Sequence, residues 1–397
     1  MKSDNPQGQS EESFSESTKL SGGISRRQTL RSVGTMSGIS LLGIPNIADK
    51  DDSVKLPKLV SGDEVVEYIH VPRDWYEHIQ HVENVRQNVR KKVNGNRNVT
   101  SISVVPSNKE YGGKKGLQIK VRLRPENQKG DNKNKILPEP PIPDHIDGIP
   151  VVFGEKSDRK QGCTNFDTSS NVAGGQVLAW TNGGRYGTAG APFDYNGSRY
   201  MLHCAHVFWD DCNSNIAGRV ASVQDENFNN VDDIGEVKFA NALADITRID
   251  DSRGGNFRDY IDEGSNNAPL MGHVTKYALQ NWVSESASQR PTVYQMGVTT
   301  GRTSGVVNEL DYDSTFGCVN HQENGVRTTC RFGQGDSGGP TYYKTNGDAY
   351  LVSLTTHYHD VVIGGTIGCN DSSYGEESSG TGAYYINDRW GYDFNVA

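Results

Sequence analysis

The 397-residue sequence contains no apolar run near the roughly 20 residues that a membrane-spanning helix requires, which excludes an ordinary transmembrane protein. It has only six cysteines, and no two of them show the two-residue separation expected at a zinc site. Methionine is scarce, with five residues, whereas glycine is abundant, with 45. We therefore expect a soluble, loop-rich, β-dominated protein of about two domains plus tails.

Basic charge is scarce in the second half of the chain. Residues 172–397 contain 14 Lys and Arg against 27 Asp and Glu, whereas residues 1–171 contain 26 against 22. The halves therefore carry about -13 and +4, which make up the net charge of -9. A nucleic-acid-binding protein is expected to carry a basic functional half, so we expect no nucleic-acid partner.

An arginine pair lies near the start of the chain, within Ser25–Leu30, and an uncharged stretch follows at Ser32–Ala48. This order resembles a twin-arginine export signal, and it predicts a leader over residues 1–50 and a secreted, extracellular protein. The alternative is a chance feature of a disordered tail. A lipid anchor would need a cysteine just after the apolar stretch, and the first cysteine is Cys163, so we expect no stable membrane anchor.

Residues 1–60 are polar or signal-like, and a small folded unit follows. Asp74 is positioned to cap a helix, with Gly95 just beyond its end. The apolar residues of this helix recur at steps of three and four: Tyr76, Ile79, Val82, Val85, Val89 and Val93. This spacing predicts one amphipathic helix.

Three strands are expected after that helix, at Val99–Val105, Leu117–Arg124 and Ile149–Phe153. Leu117–Arg124 alternates with period two, which predicts one buried face and one cationic face. The cationic residues are Lys120, Arg122 and Arg124. Residues 125–148 are rich in Pro, Asn and Lys and are a linker by composition.

The composition shifts at about residue 165 to Gly, Asn, Asp, Tyr and Thr with many short strand-like runs. This pattern favours a β-barrel or β-sandwich. We therefore expect an α+β unit over residues 55–160 and a β domain over residues 165–397.

The stretch "RFGQGDSGGP", Arg331–Pro340, surrounds one serine with glycines and proline. An acyl-transfer serine needs an exposed hydroxyl on a tight turn, with backbone N–H groups directed at the oxygen that becomes negative. Ser337 would be the nucleophile, and Gly335 and Ser337 would donate the two N–H groups. The alternative is a plain glycine-rich turn. "GDSGGP" resembles the nucleophile loop of the chymotrypsin-like serine proteases.

The resemblance implies a histidine and a carboxylate earlier in the chain. "YMLHCAHVF", Tyr200–Phe208, is similar to the strand-end motif of that family and implies His206 as the base, whereas His203 is interpreted as a strand histidine without chemistry. "NALADITRID" resembles the carboxylate segment and implies Asp245. Its rivals, Asp233 and Asp250, lie in more polar surroundings, where solvated loop carboxylates are expected.

Further motifs resemble the streptogrisin-like bacterial branch of the family, namely "VAGGQVLAW", Val172–Trp180, and "GVTTGRTSG", Gly297–Gly305. The implied fold is an all-β catalytic domain of two six-stranded antiparallel β-barrels, preceded by the small α+β domain. One family disulfide is missing, because its two positions are Val207 and Gly187 here. Cys330 lies one residue further from the nucleophile than the family's pocket cysteine.

The implied function is a serine endopeptidase that acts on proteins or peptides without a cofactor or metal, as a monomer. Two alternatives remain: a catalytically silent binding module, and an esterase with the same nucleophile. Silent relatives usually lose the serine or the histidine, and both are present here. The Gly-x-Ser-x-Gly elbow of an α/β-hydrolase is absent.

The resemblance also places "VSLTTHYHD", Val352–Asp360, along the specificity pocket, with Thr356 and His357 nearest the substrate. A histidine there could hydrogen-bond an acidic side chain, and the alternative is a solvent-exposed rim. Because export favours disulfides, we expect the six cysteines to pair, with 15 possible connectivities. Cys204–Cys212 would close a local loop, the resemblance implies Cys330–Cys369 as the pocket disulfide, and Cys163–Cys318 would then remain.

Relatives in this branch are made with propeptides, so residues 55–160 are interpreted as a prosegment that helps the catalytic domain fold and then inhibits it. The alternative is an appended domain that stays attached. The cationic strand face would favour docking on the acidic domain. Processing is expected upstream of Cys163, between Lys129 and Lys160, rather than at Val172.

Overall fold

The structure is a computed structural model, and residues 45–397 form one compact unit. The described residues are 52–93, 96, 99–123, 143, 145–155, 170–209, 215–225, 229–264, 267–314, 324–366 and 371–397, without the side chains of 153–155, 314, 358–366 and 371–374. The predicted export signal, Arg124, most of the predicted linker and four of the cysteines lie outside them. Within this part of the chain, no helix is long and apolar enough to cross a membrane.

The helices are α1 (Arg73–Val93), α2 (Lys276–Ser284) and α3 (Ala383–Trp390), with a 3-10 helix at Ala205–Phe208. The strands are β1 (Ser53–Ser61), β2 (Glu64–Pro72), β3 (Val99–Tyr111), β4 (Lys114–Leu123), β5 (His145–Ile146), β6 (Ile149–Glu155), β7 (Asn171–Gly174), β8 (Val177–Trp180), β9 (Tyr186–Thr188), β10 (Pro192–Tyr195), β11 (Ser198–His203), β12 (Val220–Gln224), β13 (Asn230–Asn241), β14 (Ile246–Ile249), β15 (Asn256–Asp262), β16 (Asn267–Val274), β17 (Val293–Gly297), β18 (Gly301–Gly305), β19 (Val307–Ser314), β20 (Gly325–Thr328), β21 (Pro340–Thr345), β22 (Asp348–Thr366) and β23 (Asp371–Gly382).

The predicted amphipathic helix is confirmed as α1, although Asp74 lies in its first turn and does not cap it. The acidic residue near the start and the basic residues of the last turn complement the helix dipole. The apolar stripe faces the core, with Ile79, Val82, Val85 and Val89 at most 1% exposed. Helix α1 therefore forms because its buried stripe packs on the neighbouring strands.

The N-terminal strands are longer than expected, because β3 and β4 continue into a tight antiparallel hairpin whose turn holds Gly112 and Gly113 at positive φ. Strand β6 lies parallel to β4. The interpretation of residues 1–60 as polar or signal-like was wrong at its end, since β1 begins at Ser53 and forms a hairpin with β2. Leu56 and Leu59 of β1 are buried, which stabilises this hairpin on the core.

The all-β prediction for the second part of the chain is confirmed. One sheet has seven strands in the order β10-β11-β14-β13-β12-β8-β9. The antiparallel pair β11 and β14 sets His203 opposite Thr247. The segments that carry His206 and Asp245 are therefore brought together where β11 ends and β14 begins.

The other sheet has sixteen strands, because N-terminal strands extend it. Strand β3 pairs antiparallel with β19, where Val104 lies opposite Leu310, and β1 pairs with β16. The antiparallel pair β21 and β22 sets Pro340 opposite Leu354. This pairing places the loop that carries Ser337 beside the strand that carries Thr356.

Candidate active site

The loop that carries Ser337 lies just before β21, and two of its glycines have conformations closed to other residues. Gly335 has φ +104° and Gly338 has φ +97°. A Cβ atom on Gly338 would lie 2.3 Å from the carbonyl oxygen of Thr188, and one on Gly335 would lie 2.5 Å from Thr299 Oγ1. Both glycines are therefore needed for the close approach of this loop to its neighbours.

The peptide between Gln334 and Gly335 has a defined orientation. Thr299 Oγ1 donates to the carbonyl oxygen of Gln334 at 2.5 Å, and Thr188 Oγ1 donates to the carbonyl oxygen of Gly335 at 2.8 Å. In a trans peptide the N–H group points opposite to the carbonyl, so the Gly335 N–H points away from Thr299. Within the described residues, the N–H groups of Gly335 and Ser337 make no hydrogen bond, which leaves both as donors for an anionic oxygen.

Asp336 holds the loop from beneath. Its buried carboxylate accepts hydrogen bonds from the N–H groups of Thr299 at 2.7 Å, Thr300 at 3.1 Å and Gly333 at 2.8 Å, and from the Thr300 hydroxyl at 2.7 Å. Burial raises the pKa of Asp336 to about 6, although these donors act in the opposite direction. All four donors are neutral groups of the uncut chain, and they satisfy the carboxylate. The loop therefore does not need an amino group freed by cleavage to pair with Asp336.

Asp245 and His206 form a two-point contact. Asp245 Oδ1 accepts the backbone N–H of His206 at 2.9 Å, and Asp245 Oδ2 lies 2.6 Å from His206 Nδ1. Asp245 is fully buried, whereas the His206 side chain is 27% exposed. The arrangement directs Nδ1 at the carboxylate, so the other ring nitrogen, Nε2, faces away from it, as a general base requires.

Local structure positions this carboxylate. Asp245 has φ +50°, a left-handed conformation, and β14 begins at the next residue. Its carbonyl oxygen accepts the N–H of Ala205 at 3.3 Å. Before it, Ala244 donates its N–H to Asn241 Oδ1 at 2.9 Å, and its carbonyl accepts the Thr381 hydroxyl at 2.6 Å.

The structure places Ser337 in the same region as this pair. Its carbonyl oxygen accepts the N–H of Thr188 at 2.7 Å. A Cβ atom on Gly187 would lie 2.4 Å from that oxygen and 3.0 Å from Val207 Cγ2, so Gly187 lies between the serine and the residue that follows His206. The Ser337 hydroxyl donates to the carbonyl oxygen of Thr356 at 3.4 Å.

His203 lies directly behind the nucleophile loop and is completely buried. A Cβ atom on Gly338 or Gly187 would lie within 3.1 Å of its ring, which also packs edge-on against Phe208. Burial lowers its pKa to about 3, so the imidazole is neutral, and Nδ1 donates to the carbonyl oxygen of Cys204 at 3.2 Å. Val207 and Gly187 are adjacent, and this ring packs beside them, since a Cβ atom on Gly187 would lie 3.0 Å from Val207 Cγ2 and 2.9 Å from His203 Cε1.

Cys204 and Cys330 are free thiols, so the predicted pairs Cys204–Cys212 and Cys330–Cys369 are not formed in the structure. The Cys204 sulfur is turned into the core, where it donates to the carbonyl oxygen of Thr355 at 3.2 Å. Cys330 is also buried, and burial raises its pKa to about 12. The third predicted pair lies outside the described residues.

One group of residues within the described part of the chain has donor atoms close enough to suggest a metal site. Cys204, His206 and Asp245 present theirs within 4.8 Å of one another. His206 Nδ1 and Asp245 Oδ2 are hydrogen-bonded to each other at 2.6 Å, which leaves no space for a metal ion between these two atoms. The geometry therefore fits a hydrogen-bonded pair.

Thr356 and His357 lie on β22 beside β23. The Thr356 hydroxyl donates to the carbonyl oxygen of Ser379 at 3.2 Å, and the Ser379 hydroxyl lies 3.0 Å from His357 Nε2. The His357 ring is half-buried, 5.8 Å from the ring of Tyr312. The imidazole is therefore fixed between two strands next to the carbonyl that accepts the Ser337 hydroxyl.

The two rival carboxylates have structural partners. Asp233 accepts the Thr181 hydroxyl at 2.9 Å and is 41% exposed. Asp250 accepts the N–H of Glu236 at 2.8 Å and the Ser252 hydroxyl at 2.7 Å, so it orders its own loop.

Sequence reasoning missed the threonines that orient the nucleophile loop. Thr299 and Thr300 lie within the Gly-x-Thr-Thr-Gly segment. The sequence identified this segment by resemblance, but it did not predict that the two threonines donate hydrogen bonds to Asp336. Thr188 donates its hydroxyl to the carbonyl of Gly335 and accepts the N–H of Val298 at 2.9 Å. The only signal was a pair of adjacent threonines between glycines.

No model of a known protein family matches this sequence, and no curated protein matches it. Among solved structures, protease A of Thermobifida fusca is 16% identical with a TM-score of 0.40, over 57% of this chain and 100% of its own. A glutamic acid-specific serine protease, described as using a histidine triad in substrate binding, is 15% identical with a TM-score of 0.41, over 56% of this chain and 100% of its own. A chymotrypsin of Cellulomonas bogoriensis is 17% identical with a TM-score of 0.39, over 57% of this chain and 100% of its own. At these identities and scores, function has to be argued from the site itself.

Proposed function

We propose that residues 165–397 are a serine endopeptidase that hydrolyses proteins or peptides through an acyl-enzyme. The observation that carries the proposal is the combination of two features in one region. Asp245 holds His206 through one bond to its backbone N–H and one to its imidazole, and the loop of Ser337 presents two N–H groups without partners among the described residues. Together they supply a base, an orienting carboxylate and an anion site.

The proposed reaction has two steps. Ser337 Oγ forms a bond to the carbonyl carbon of the substrate while its proton moves to His206 Nε2, and the carbonyl oxygen becomes an anion that the N–H groups of Gly335 and Ser337 stabilise. The carbon–nitrogen bond then breaks as His206 returns the proton to the leaving amine. Water adds to the acyl-enzyme by the same route, with His206 as base, and frees Ser337. Asp245 holds the imidazole in the required tautomer throughout.

Labelling with a fluorophosphonate tests this assignment. The reagent forms a covalent bond with an activated serine, and peptide mass spectrometry then identifies the labelled residue. We expect label on Ser337, none in Ser337→Ala, and unchanged labelling in the matched variant Ser198→Ala, which changes an exposed serine at the start of β11. An unlabelled wild-type protein would favour the silent binding module. Labelling with hydrolysis of esters but not of peptides would favour the esterase.

For the substrate, we propose that the pocket beside Thr356 and His357 accepts an acidic side chain. The observation that supports this is the position of the His357 imidazole, which lies 3.0 Å from the Ser379 hydroxyl and follows the Thr356 carbonyl that accepts the Ser337 hydroxyl. A peptide library read by mass spectrometry should show Glu or Asp before the cut. His357→Leu should lose that preference, and a wild-type preference for large apolar or basic residues would overturn it.

We further propose that the chain is exported through a twin-arginine signal, works as a monomer outside the cell, and uses residues 55–160 to help the catalytic part fold. Slow, non-local β pairing supports a need for such help. Arg26→Lys with Arg27→Lys should abolish export without changing synthesis. Full activity from a chain made without residues 55–160 would contradict the folding role.

A further inference from the structure

We infer that the N-terminal unit, defined as Ser53–Glu155, is a permanent subunit of the working protein and stays bound after the chain is cut. That the protein works as a protease rests on the proposed function, whereas the stable binding of the N-terminal unit does not. It starts from the charges that lie between the unit and the rest of the chain.

A buried ion-pair cluster joins α1 to β19 and α2. The Arg86 side chain, 1% exposed, lies 2.9 Å from Glu83 on its own helix and 3.6 Å from both Asp311 and Asp313 of β19. Lys276 at the start of α2 completes the cluster, 2.9 Å from Glu83 and 3.1 Å from Asp311. The N-terminal unit and the later part of the chain therefore each contribute a cation and at least one carboxylate. Each of the two cations contacts carboxylates from both parts.

A second cluster lies on the same strand. Arg122 of β4 forms a buried ion pair with Glu309, which also accepts Lys120 at 3.2 Å and the Ser103 hydroxyl at 3.0 Å. Burial alone would raise the pKa of Glu309, but Arg122 and its neighbours lower it to about 2. The cationic strand face predicted from the sequence thus contacts this carboxylate through Lys120 and Arg122.

Backbone and apolar contacts cross the same boundary. Strand β3 extends the sheet at β19, and β1 pairs with β16. One buried hydrophobic cluster contains Trp75 and Leu117 of the N-terminal unit together with Leu279, Trp282 and Leu310 of the later part. Separation would therefore open a sheet edge and divide a common core.

Departure of the unit would remove Arg86 and Arg90 from Asp313, and it would leave Asp311 with Lys276 and Glu309 with Arg327 as the nearest cations of the later part. A buried charge that loses its partner is strongly destabilising, whereas in the intact protein each of these carboxylates lies within 3.6 Å of a cation of the N-terminal unit. An exposed ion pair between two proteins would dissociate easily, but these carboxylates are at most 6% exposed. The interface resembles a domain interior rather than the surface of a released piece.

The site does not need the unit to leave. With the unit docked, Asp245 is already bonded to His206, and the Asp336 carboxylate is already satisfied by Thr299, Thr300 and Gly333. The loop that carries Ser337 is therefore already assembled in the uncut chain. Cleavage is not needed to supply a hydrogen-bond partner for Asp336.

The test introduces the recognition sequence of a specific protease within residues 156–162, upstream of Cys163, in the full chain carrying Ser337→Ala. After cutting under reducing conditions, size-exclusion chromatography and mass spectrometry follow the two pieces. We expect them to co-elute at physiological salt. Separation of the two pieces would overturn the proposal. Because this chain lacks Ser337, the result does not depend on any peptidase activity.

Two variants of the same helix sharpen the test. Arg86→Leu should cause the cut pieces to separate, whereas Arg73→Leu should not, because Arg73 pairs with Asp52 in an exposed contact whose side chains are 53% and 73% exposed. If Arg86→Leu does not fold, Lys120→Leu tests the second cluster at its more exposed edge and should lower the salt concentration that separates the pieces. In the active chain, cutting should leave peptidase activity unchanged, and a rise in activity on removal of the unit would overturn its role as a permanent subunit.

Discussion

Asp245 holds His206 by its backbone as well as by its ring, at 2.9 Å and 2.6 Å. The two bonds fix the position of the histidine and the tautomer of its imidazole at the same time. A fully buried carboxylate with a left-handed backbone is an unusual feature, and here it coincides with the start of β14. The pair is therefore the structural centre of the candidate site.

Replacing Asp245 with asparagine should preserve the packing but favour the wrong imidazole tautomer. We expect kcat to fall by roughly 10⁴-fold on a peptide substrate, with a nearly unchanged KM. Asp233→Asn, which alters an exposed rival carboxylate, should leave kcat within a factor of two of wild type. Equal losses in the two variants would show that Asp245 has no special role.

Gly335→Ala should damage the anion site by moving the backbone. A Cβ atom there meets Thr299 Oγ1 at 2.5 Å and Tyr186 Cε2 at 2.7 Å. We expect kcat to fall by about 10²- to 10³-fold, as for loss of one oxyanion donor. Gly347→Ala is the matched control, because Gly347 has a similar φ of +96° but open space around its Cβ position. Its steady-state kinetics should be those of wild type, and an active Gly335→Ala variant would contradict the assigned anion site.

His203 is predicted to act through its volume rather than through proton transfer. His203→Ala opens space beneath Gly338, so the free energy of unfolding should fall by roughly 3 kcal/mol, by analogy with other buried rings. His203→Phe keeps a buried aromatic ring but adds some volume and loses one hydrogen bond, so it should cost roughly 1 to 3 kcal/mol. Denaturant unfolding and kcat of both variants check this. A Phe variant that is stable but inactive would instead assign chemistry to the imidazole.

Local features of the fold and site were predictable, because they depend on neighbouring residues. The stripe of α1 repeats along one segment, and the glycines around Ser337 lie within one turn. Asp245 was distinguishable from Asp233 by its apolar neighbours. The cysteine pairs were not predictable, since nothing in the spacing shows that the Cys204 sulfur points to Thr355.

Non-local features were missed for the same physical reason. Arg86 is separated from Asp311 by most of the chain, and on its helix it reads as one more solvent-facing cation. Burial of a charge becomes visible only when the partner strand is in place. The hairpin of β1 and β2 was also missed, because only Val71 of β2 is buried and the apolar residues in its sequence, EVVEYIHVP, do not alternate with polar ones.

Acid should weaken the contribution that Glu309 makes to the docking of the N-terminal unit. The pKa of Glu309 is lowered from 4.5 to about 2, so its ionised form is favoured in the folded state. A depressed carboxyl pKa stabilises the fold above the unfolded value, and this stabilisation is lost as the pH falls from about 4.5 towards 2. The shift corresponds to roughly 3 kcal/mol at neutral pH. Buried histidines such as His78, whose pKa burial lowers to about 4, also destabilise the fold as the pH falls below 6.5, so the carboxyl has to be isolated by difference.

The measurement is therefore the free energy of unfolding of wild type minus that of Glu309→Gln, followed by denaturant titration from pH 7 to pH 2. We expect a difference of about 3 kcal/mol or more above pH 5, because the variant also leaves Arg122 buried without a counter-charge. The difference should shrink steadily below pH 4.5, since a protonated Glu309 resembles the amide that replaces it. Glu67→Gln, which removes a part-exposed ion pair with Lys58, should differ from wild type by at most about 1 kcal/mol at every pH. A wild-type advantage that stays constant down to pH 2 would show that the charge of Glu309 does not hold the N-terminal unit in place.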